Sequence, residues 1–224
     1  MAGKRAALKE QSHERILDVA VRQMHRHGMA GAPIADIMRE AGLTHGAFYA
    51  HFADKDDLRN TAFRRAVRDP LARWFGTVER DPWPDRMASL ARRYLSRGHR
   101  DDTDNICPLA AFAHEMPRSS VASRETYEAE LRHALDGIVG EDADLDPGDG
   151  RHDAAIVLLA LCVGGLALSK SVEDVSFSDR ILRSCRTAAA QLARYHSEPT
   201  PRSERYRVKA VTRPMQRSTA PEAE

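Results

Sequence analysis

Cysteine is scarce in this sequence, and the few cysteines do not form a recognisable group. The chain has three cysteines in 224 residues. They are Cys107, Cys162 and Cys185, and no pair shows the Cys-x-x-Cys spacing of a redox or zinc motif. An odd number of widely spaced cysteines argues against a disulfide framework. The pattern predicts a protein of the reducing cytoplasm, with no metal and no cofactor.

Long apolar segments are also lacking. The N-terminal sequence MAGKRAALKEQSHERILD is charged and has no apolar centre of the kind a signal peptide needs. The most apolar run, AAIVLLALCVGGLAL from Ala154 to Leu168, is shorter than the roughly 18 to 20 residues of a bilayer span. We therefore expect no membrane segment, and we expect this run to form a buried helix.

The sequence shows neither the alternation of a half-buried strand nor an internal repeat. Apolar residues instead recur with helical spacing between breaks at proline and glycine, which predicts an all-α protein. Ser12 is a possible cap for the first helix. The predicted helices are 12–27, one from Pro33 to Gly42, a short one after Thr44, one from Asp54 to a break at Asp69–Pro70, and then 82–98, 105–116, 118–139, 151–172 and 178–196.

The net charge of +1 conceals an uneven distribution along the chain. Residues 1–68 carry 12 Lys and Arg against 8 Asp and Glu, whereas residues 69–196 carry 16 against 21. A small cationic module attached to a larger acidic body is typical of a protein that binds a polyanion through one end.

The stretch IADIMREAGLTHGAFYAHFADKDDL has the pattern of two short helices joined by a tight turn. Gly42 permits a left-handed backbone in the turn, and Leu43 can fill the space between the helices. Thr44 can cap the second helix, in which Phe48 and Phe52 share one face. The pattern predicts a helix-turn-helix, whose second helix enters the major groove of DNA.

The other face of this second helix carries groups that suit DNA. Thr44 and the helix N-terminus can hold a phosphate, and His45 can reach a phosphate or a base edge. The methyl group of Ala50 can rest against a thymine methyl group. Each residue alone would also fit an ordinary solvated position, but the combination favours DNA. The candidate contacts are Thr44, His45, Gly46, Tyr49, Ala50, His51 and Lys55.

These residues resemble the DNA-binding domain of the TetR/AcrR family of bacterial transcriptional regulators. The resemblance rests on the glycine turn, the Gly-x-x-Tyr recognition helix and the Phe-x-x-Lys entry to the next helix. It implies an all-α protein with an N-terminal three-helix helix-turn-helix domain and a larger C-terminal helical domain for ligand binding and dimerisation. The implied partners are double-stranded operator DNA, a second copy of the chain and a small-molecule inducer.

The resemblance also implies how the chain is organised and what it does. A flexible arm would occupy residues 1–11, the DNA-binding domain residues 12–68 and the helical body residues 69–196. Residues 197–224, with several prolines and few large apolar residues, are expected to be a disordered tail. The implied function is a repressor that an inducer releases from a palindromic operator.

Two apolar seams in the last two predicted helices offer a way to dimerise. The residues of these seams are Leu158, Leu161, Gly165 and Leu168 in one helix, and Ile181, Cys185, Ala188 and Leu192 in the other. Packing within one chain uses the same spacing, so that alternative stays open. The family resemblance favours a four-helix interface between two copies.

Several aromatic and sulfur-containing residues of the body are candidates for an inducer pocket, although aromatics at helical spacing are more often core. The candidates are Trp74, Phe75, Tyr94, Cys107, Phe112, His114, Met116 and Tyr127. Cys107 precedes Pro108 at a predicted helix N-terminus, which would favour the reactive thiolate. Its segment resembles that of family members that sense electrophiles or oxidants, which implies a thiol-based alternative. A small buried hydrophobe is the other interpretation of Cys107.

Two other classes of protein are alternatives to a DNA-binding regulator. An enzyme has little support, because His114-Glu115 lacks the second histidine of a zinc-protease helix and no glycine-rich phosphate loop is present. A helical scaffold that only dimerises is the third class. Binding to duplex DNA would separate the three.

Overall fold

The computed structural model describes residues 2–75, 81–102, 107–140 and 150–195, and these ranges contain helices and turns but no strand. The predicted all-α class is therefore confirmed for them. The predicted tail at 197–224 lies outside the described residues. The α-helices are α1 (Ala2–His27), α2 (Ile34–Glu40), α3 (Lys55–Phe75), α4 (Trp83–Tyr94), α5 (Arg97–Asp101), α6 (Pro108–Phe112), α7 (Val121–Val139), α8 (Arg151–Lys170) and α9 (Val175–Tyr195), with 3₁₀ helices at His45–Ala50 and Met116–Arg118.

The N-terminal helices enclose one apolar core. Ile16 and Met24 of α1, Met38 of α2 and Leu58 of α3 are each at most 2% exposed. The short 3₁₀ helix His45–Ala50, called the recognition helix below, adds Phe48 to this core. Burial of these side chains supplies most of the free energy that orders helices too short to be stable alone.

The prediction of a flexible arm at residues 1–11 is wrong, because most of these residues are helical. Helix α1 begins at Ala2, so Ser12 lies inside the helix and does not cap it. The residues before Ser12, AGKRAALKEQ, are mostly alanine, leucine, lysine, arginine, glutamate and glutamine, which have high helix propensity. The side chains of residues 3–11 are exposed, so this part of the helix extends beyond the apolar core.

The prediction of a helix break at Asp69–Pro70 is also wrong. Helix α3 continues from Lys55 to Phe75 with Pro70 inside it. A proline in a helix removes one backbone hydrogen bond, and packing of α3 on α1 and α7 offsets that loss. The domain boundary placed between residues 68 and 69 therefore falls within a helix that both halves of the molecule share.

The C-terminal body is built around α4, α8 and α9, with α7 joining it to α3. The single helix expected at 82–98 is two helices, because Ser96 starts α5 by accepting a hydrogen bond from the His99 N–H at 3.1 Å. The helix expected at 105–116 is also interrupted, and only Pro108–Phe112 is α-helical within the part of it that is described.

Helix α8 is the most apolar element. Its 20 residues lie close to the predicted range 151–172 and make it long and apolar enough to cross a membrane by length and composition, a test that buried core helices also pass. It packs on α9, α4, α6 and α7, and Ala154, Leu158, Cys162 and Leu166 are buried there. This packing fits the predicted buried core helix.

Of the eight predicted dimerisation positions, two are buried within the chain, five are half-buried and one is exposed. Leu158 is 1% exposed, and Gly165 is buried where α8 approaches α9. Leu168, at 60% exposed, is the clear exception. Half-buried positions in the seams are Leu161, Ile181, Cys185, Ala188 and Leu192. At Gly165 the heptad spacing packs α8 against α9 of the same chain. Dimerisation through the half-buried positions and Leu168 stays a prediction.

Two adjacent glycines of α8 test this packing. A Cβ atom on Gly165 would lie 2.8 Å from Cys185 Sγ and 2.9 Å from Leu95 Cδ2, whereas one on Gly164 would meet open space. We expect Gly165→Ala to lower the free energy of unfolding by about 1–2 kcal/mol through overpacking. Gly164→Ala should instead raise it by about 0.5–1 kcal/mol through helix propensity.

Urea unfolding followed by circular dichroism, at one chain concentration, measures both changes. Equal effects of the two substitutions would contradict the assigned packing of α8 on α9.

Candidate nucleic-acid interface

The turn between α2 and the recognition helix has the geometry that its sequence predicts. Gly42 has a φ of +70°, in the left-handed region that favours glycine. The Leu43 N–H donates to the Met38 carbonyl at 2.9 Å, and the Gly42 N–H donates to the Arg39 carbonyl at 3.1 Å. Leu43 is half-buried against the apolar core. The turn therefore fixes the direction in which the recognition helix leaves α2.

The recognition helix is a 3₁₀ helix of six residues. Phe48 is 0% exposed, and Phe52, just beyond the helix, is 4% exposed. Their rings lie 5.7 Å apart in the core. Because these two aromatics hold the inner side, the opposite side of the helix is presented to solvent.

Five of the seven candidate DNA contacts are fully exposed, and the other two are half-buried. The exposed residues are Thr44, His45, Gly46, Tyr49 and Ala50, and the half-buried residues are His51 and Lys55. Tyr49 is 65% exposed, and its ring lies 6.2 Å from that of His45. The structure thus brings the exposed candidates onto the outer side of one short helix.

Two positions on this surface have polar or open features that the fold itself does not use. Thr44 precedes the helix in an extended conformation, but its hydroxyl makes no capping hydrogen bond. A Cβ atom at Gly46 would meet open space. The Thr44 hydroxyl is therefore available to a bound molecule, and the space beside Gly46 is open to one.

Lys55 starts helix α3 next to the recognition helix. Asp54 caps α3 by accepting from the Asp57 N–H at 2.8 Å, and Asp57 accepts in turn from the Ala53 N–H at 3.0 Å. This reciprocal capping fixes the first turn of α3. It thereby fixes the backbone from which the Lys55 side chain extends.

His51 lies against α1. The ring of His13 stacks on Phe52 at 4.7 Å and lies 5.9 Å from the ring of His51. Burial lowers the pKa of His51, and the nearby positive charges of His13 and Lys9 lower it further, while Glu10 opposes them. His51 is therefore held in its neutral form more firmly than an exposed histidine would be.

The sequence pattern missed the contribution of α1 to this surface. His13 and Lys9 were placed in or beside a flexible arm, and the structure puts both on one helix close to His51. Their spacing of four residues was the available signal, because it places side chains on one helical face.

Among the described residues, three groups of polar contacts join the N-terminal half to the body, in addition to apolar packing. The first is at the end of α1, where the carboxylate of Glu115 accepts from the Met29 N–H at 3.0 Å. Gly28, with a φ of +78°, leaves room for that carboxylate, since a Cβ atom there would lie 3.0 Å from Glu115 Oε1. The segment after α6 therefore holds the turn that follows α1.

The second contact is an ion pair between α3 and α7. The guanidinium of Arg68 donates to both carboxylate oxygens of Glu130, at 2.8 and 2.9 Å. The Glu130 side chain is 1% exposed and that of Arg68 is 55% exposed. A buried carboxylate needs such a partner, because an unpaired buried charge is strongly destabilising.

The third contact lies nearer the start of α3. The Arg59 guanidinium donates to the Ser123 hydroxyl at 3.2 Å, and that hydroxyl donates to Asn60 Oδ1 at 3.1 Å. Ser123 is fully buried. Helices α3 and α7 are thus joined by polar contacts along several turns.

The candidate ligand residues mostly form core. Phe112 and Met116 are buried in the apolar core that extends from the N-terminal half. Tyr127 stacks on Phe63 at 5.6 Å and donates its hydroxyl to the Leu109 carbonyl at 2.7 Å. Tyr94 is buried in the second core, with α4 and α8. His114 is exposed, and the side chains of Trp74 and Phe75 lie outside the described residues.

A cleft of about 250 Å³ lies elsewhere, at the end of α8. Its lining includes Arg100, Lys170, Glu173 and Ser178, none of which is a candidate ligand residue. Among the described candidates, Tyr94, Phe112 and Tyr127 pack in the body, and a role of these residues in ligand binding stays a prediction.

Cys107 does not have the electrostatics expected from the sequence. Helix α6 begins directly after it, and the N–H groups of Leu109 and Ala110 stabilise the thiolate. Burial outweighs them and raises the pKa of the thiol. The expectation of a lowered pKa at a helix N-terminus is therefore wrong, because desolvation exceeds the effect of a five-residue helix.

The fold and this surface define a helix-turn-helix domain carried on a helical body, and comparison with known proteins gives the same result. Residues 16–62 match the family described as bacterial regulatory proteins, tetR family. The regulator AcrR of Shigella flexneri is 40% identical over 58 residues, which are 26% of this chain and 27% of AcrR. These matches show that the N-terminal domain is similar to the DNA-binding domain of TetR-family regulators, and that the chain shares only about a quarter of its length with AcrR.

Solved structures extend the likeness of the fold to most of the chain. Reduced NemR of E. coli superposes with a TM-score of 0.63 at 16% identity, over 81% of this chain and 96% of NemR. FadR of Bacillus subtilis, solved in complex with stearoyl-CoA, gives 0.55 at 18% identity, over 78% and 97%. The family and these relatives are transcriptional regulators rather than enzymes. At such identities the superpositions show the fold alone.

The raised pKa of the half-buried Cys107 leads to a prediction about its reactivity. Because its pKa is raised, we expect the thiol of the folded protein to react with N-ethylmaleimide at pH 7.5 at least about tenfold more slowly than in urea. The rate should rise as the pH increases, since more thiolate forms. Peptide mapping by mass spectrometry after timed quenching identifies which cysteine has reacted.

Cys107→Ser is the control for assignment of the labelled peptide. Rapid labelling of Cys107 in the folded protein, independent of pH above 7, would contradict the raised pKa.

Proposed function

We propose that this chain is a cytoplasmic DNA-binding transcriptional repressor that binds a palindromic operator as a homodimer and is released by a small molecule. The observation that carries the proposal is the recognition helix, which buries two aromatics and exposes an outer side composed of Thr44, His45, Gly46, Tyr49 and Ala50. A folded helix with this outer side, held by a left-handed turn, suits the major groove of DNA.

Different roles are proposed for different residues of this surface. Thr44, Tyr49 and Lys55 donate to phosphates, which positions the helix without reading sequence. His45 and Ala50 meet base edges, and Gly46 allows the DNA to approach the backbone closely. The open space at Gly46 supports this assignment, since the fold does not need a glycine there. His51, neutral and partly buried, can donate one N–H to a phosphate but adds little charge.

A dimer is proposed because one recognition helix makes too few contacts for specific binding. The outer face of α8 exposes Ile156 and Val157, at 51% and 45%, and Leu168 at its end. The small exposed residue Ala160 lies between them, so a second copy could approach closely. This face is proposed as part of the interface beside the half-buried seam positions, and Leu168 belongs to both.

Release by a small molecule is proposed through the contacts between the two halves. The segment after α6 touches the N-terminal half through Glu115, and α7 touches it through Ser123 and Glu130. A ligand that moved α6 or α7 would therefore move α1 and α3, and with them the recognition helix. FadR, of similar fold, is known with stearoyl-CoA, which supports a largely apolar ligand class for this chain. The raised pKa of Cys107 favours a non-covalent ligand over the thiol-based alternative.

The DNA-binding roles are tested by substitutions at the interface. Lys55→Gln should reduce the slope of the logarithm of the binding constant against log salt concentration by about one per subunit. It should also weaken binding to all duplexes about fivefold. Lys55→Arg keeps the charge and should keep the slope. His45→Ala should instead change which sequence is preferred. Fluorescence anisotropy on duplexes selected from a random library, at several salt concentrations, gives both quantities.

A wild-type protein that selects no duplex from the library would refute the proposed function. A change of sequence preference by Lys55→Gln with an unchanged salt slope would refute the assignment of roles.

The dimer interface is tested on α8. Placing a charge in the exposed apolar face by Val157→Asp should convert a dimer to a monomer at micromolar concentration, because an unpaired charge would be buried between the copies. The matched control is Arg124→Asp, at an exposed position of α7 away from this face. Sedimentation equilibrium measures the mass in solution. A Val157→Asp variant that remains dimeric would rule out this face.

A further inference from the structure

The exposed start of α1 is a surface that the proposed function does not yet use. Residues 3–11 are exposed, although they continue a helix of 26 residues. This segment carries Lys4, Arg5 and Lys9 against Glu10 as its only acidic residue. A cationic helix that extends beyond the core of its own chain has a surface available to an anionic partner.

Its position relative to the recognition helix is defined by side-chain contacts. His13 stacks on Phe52 at 4.7 Å and lies 5.9 Å from His51, which directly follows the recognition helix. Lys9 and Arg5 precede His13 by four and eight residues, and this spacing places them on the same side of α1. Lys4 lies on the opposite side of the helix.

We propose that the first three turns of α1 form a second DNA-contacting element, in which Arg5 and Lys9 bind phosphates next to the base pairs read by the recognition helix. The inference rests on the proposed DNA-binding function. At 1.5 Å per residue, Arg5 lies about 12 Å along the helix from His13. That distance corresponds to about three or four base-pair steps, so the element extends the bound site outward rather than duplicating a contact.

The chemistry of the partner follows from the charge and from continuity with the recognition surface. A six-residue recognition helix offers few donors to phosphates, and the α1 extension adds the cationic side chains of Arg5 and Lys9. Phosphates are the ligands that cationic side chains take without regard to sequence. The element therefore contributes affinity and salt dependence, and leaves sequence preference to His45 and Ala50.

The experiment uses the full-length chain and the duplex selected by the wild type. The variant R5Q/K9Q should reduce the salt slope by about two per chain and weaken binding at 150 mM salt at least about tenfold, without a change in sequence preference. The matched control is Lys4→Gln, which removes one charge from the opposite side of the same turn and should change the slope by less than about 0.3.

Duplex length gives an independent measurement. Wild type should bind a duplex extended by about six base pairs on each side more tightly than one that ends at the selected site, and R5Q/K9Q should lose most of that difference. Circular dichroism of R5Q/K9Q should match that of the wild type, because glutamine also favours helix.

The outcomes separate the two hypotheses. If R5Q/K9Q bound the duplex with the affinity and the salt slope of the wild type, this inference would be overturned and the proposed function would stay intact. No duplex binding by the wild type would overturn both. A change in the mass of R5Q/K9Q in solution, without a change of slope, would overturn the inference in favour of a protein contact at this surface.

Discussion

The ion pair between Arg68 and Glu130 is the interaction on which the relation between the two halves of this protein depends. Glu130 is buried on α7, and its carboxylate is satisfied by a guanidinium from α3. A buried charge tolerates little displacement of its partner, so the pair fixes the position of α3 on α7. Helix α3 begins beside the recognition helix and continues without a break past this pair. The recognition surface is therefore attached to the body through one continuous helix.

The same constraint explains why a ligand in the body could act on DNA binding. Glu115 holds the turn after α1, and Ser123 accepts from Arg59 near the start of α3. A displacement of α6 or α7 changes all of them together, because packed helices move as units rather than as separate residues.

Sequence reasoning was most successful where a residue type answers a local geometric need. Gly42 was expected in a left-handed turn and has that conformation, and Phe48 and Phe52 were expected to share a buried face and do so. It failed where local signals compete with packing. Ser12 and Pro70 are ordinary signals for the start and the end of a helix, but both lie within helices. High helix propensity before Ser12, and packing on α1 and α7 around Pro70, were stronger than these signals.

The sequence by itself determined the all-α class and the helix-turn-helix, because both follow from periodicity and from turn residues that act over a few positions. Only the tertiary structure decided which face of each long helix is covered. The spacing of Leu158 and Gly165 fits a partner helix from either the same chain or another, and the structure places α9 of the same chain there. Burial likewise decided the protonation preferences of Cys107 and His51, since the cost of removing charge from water depends on surroundings that residues distant in sequence supply.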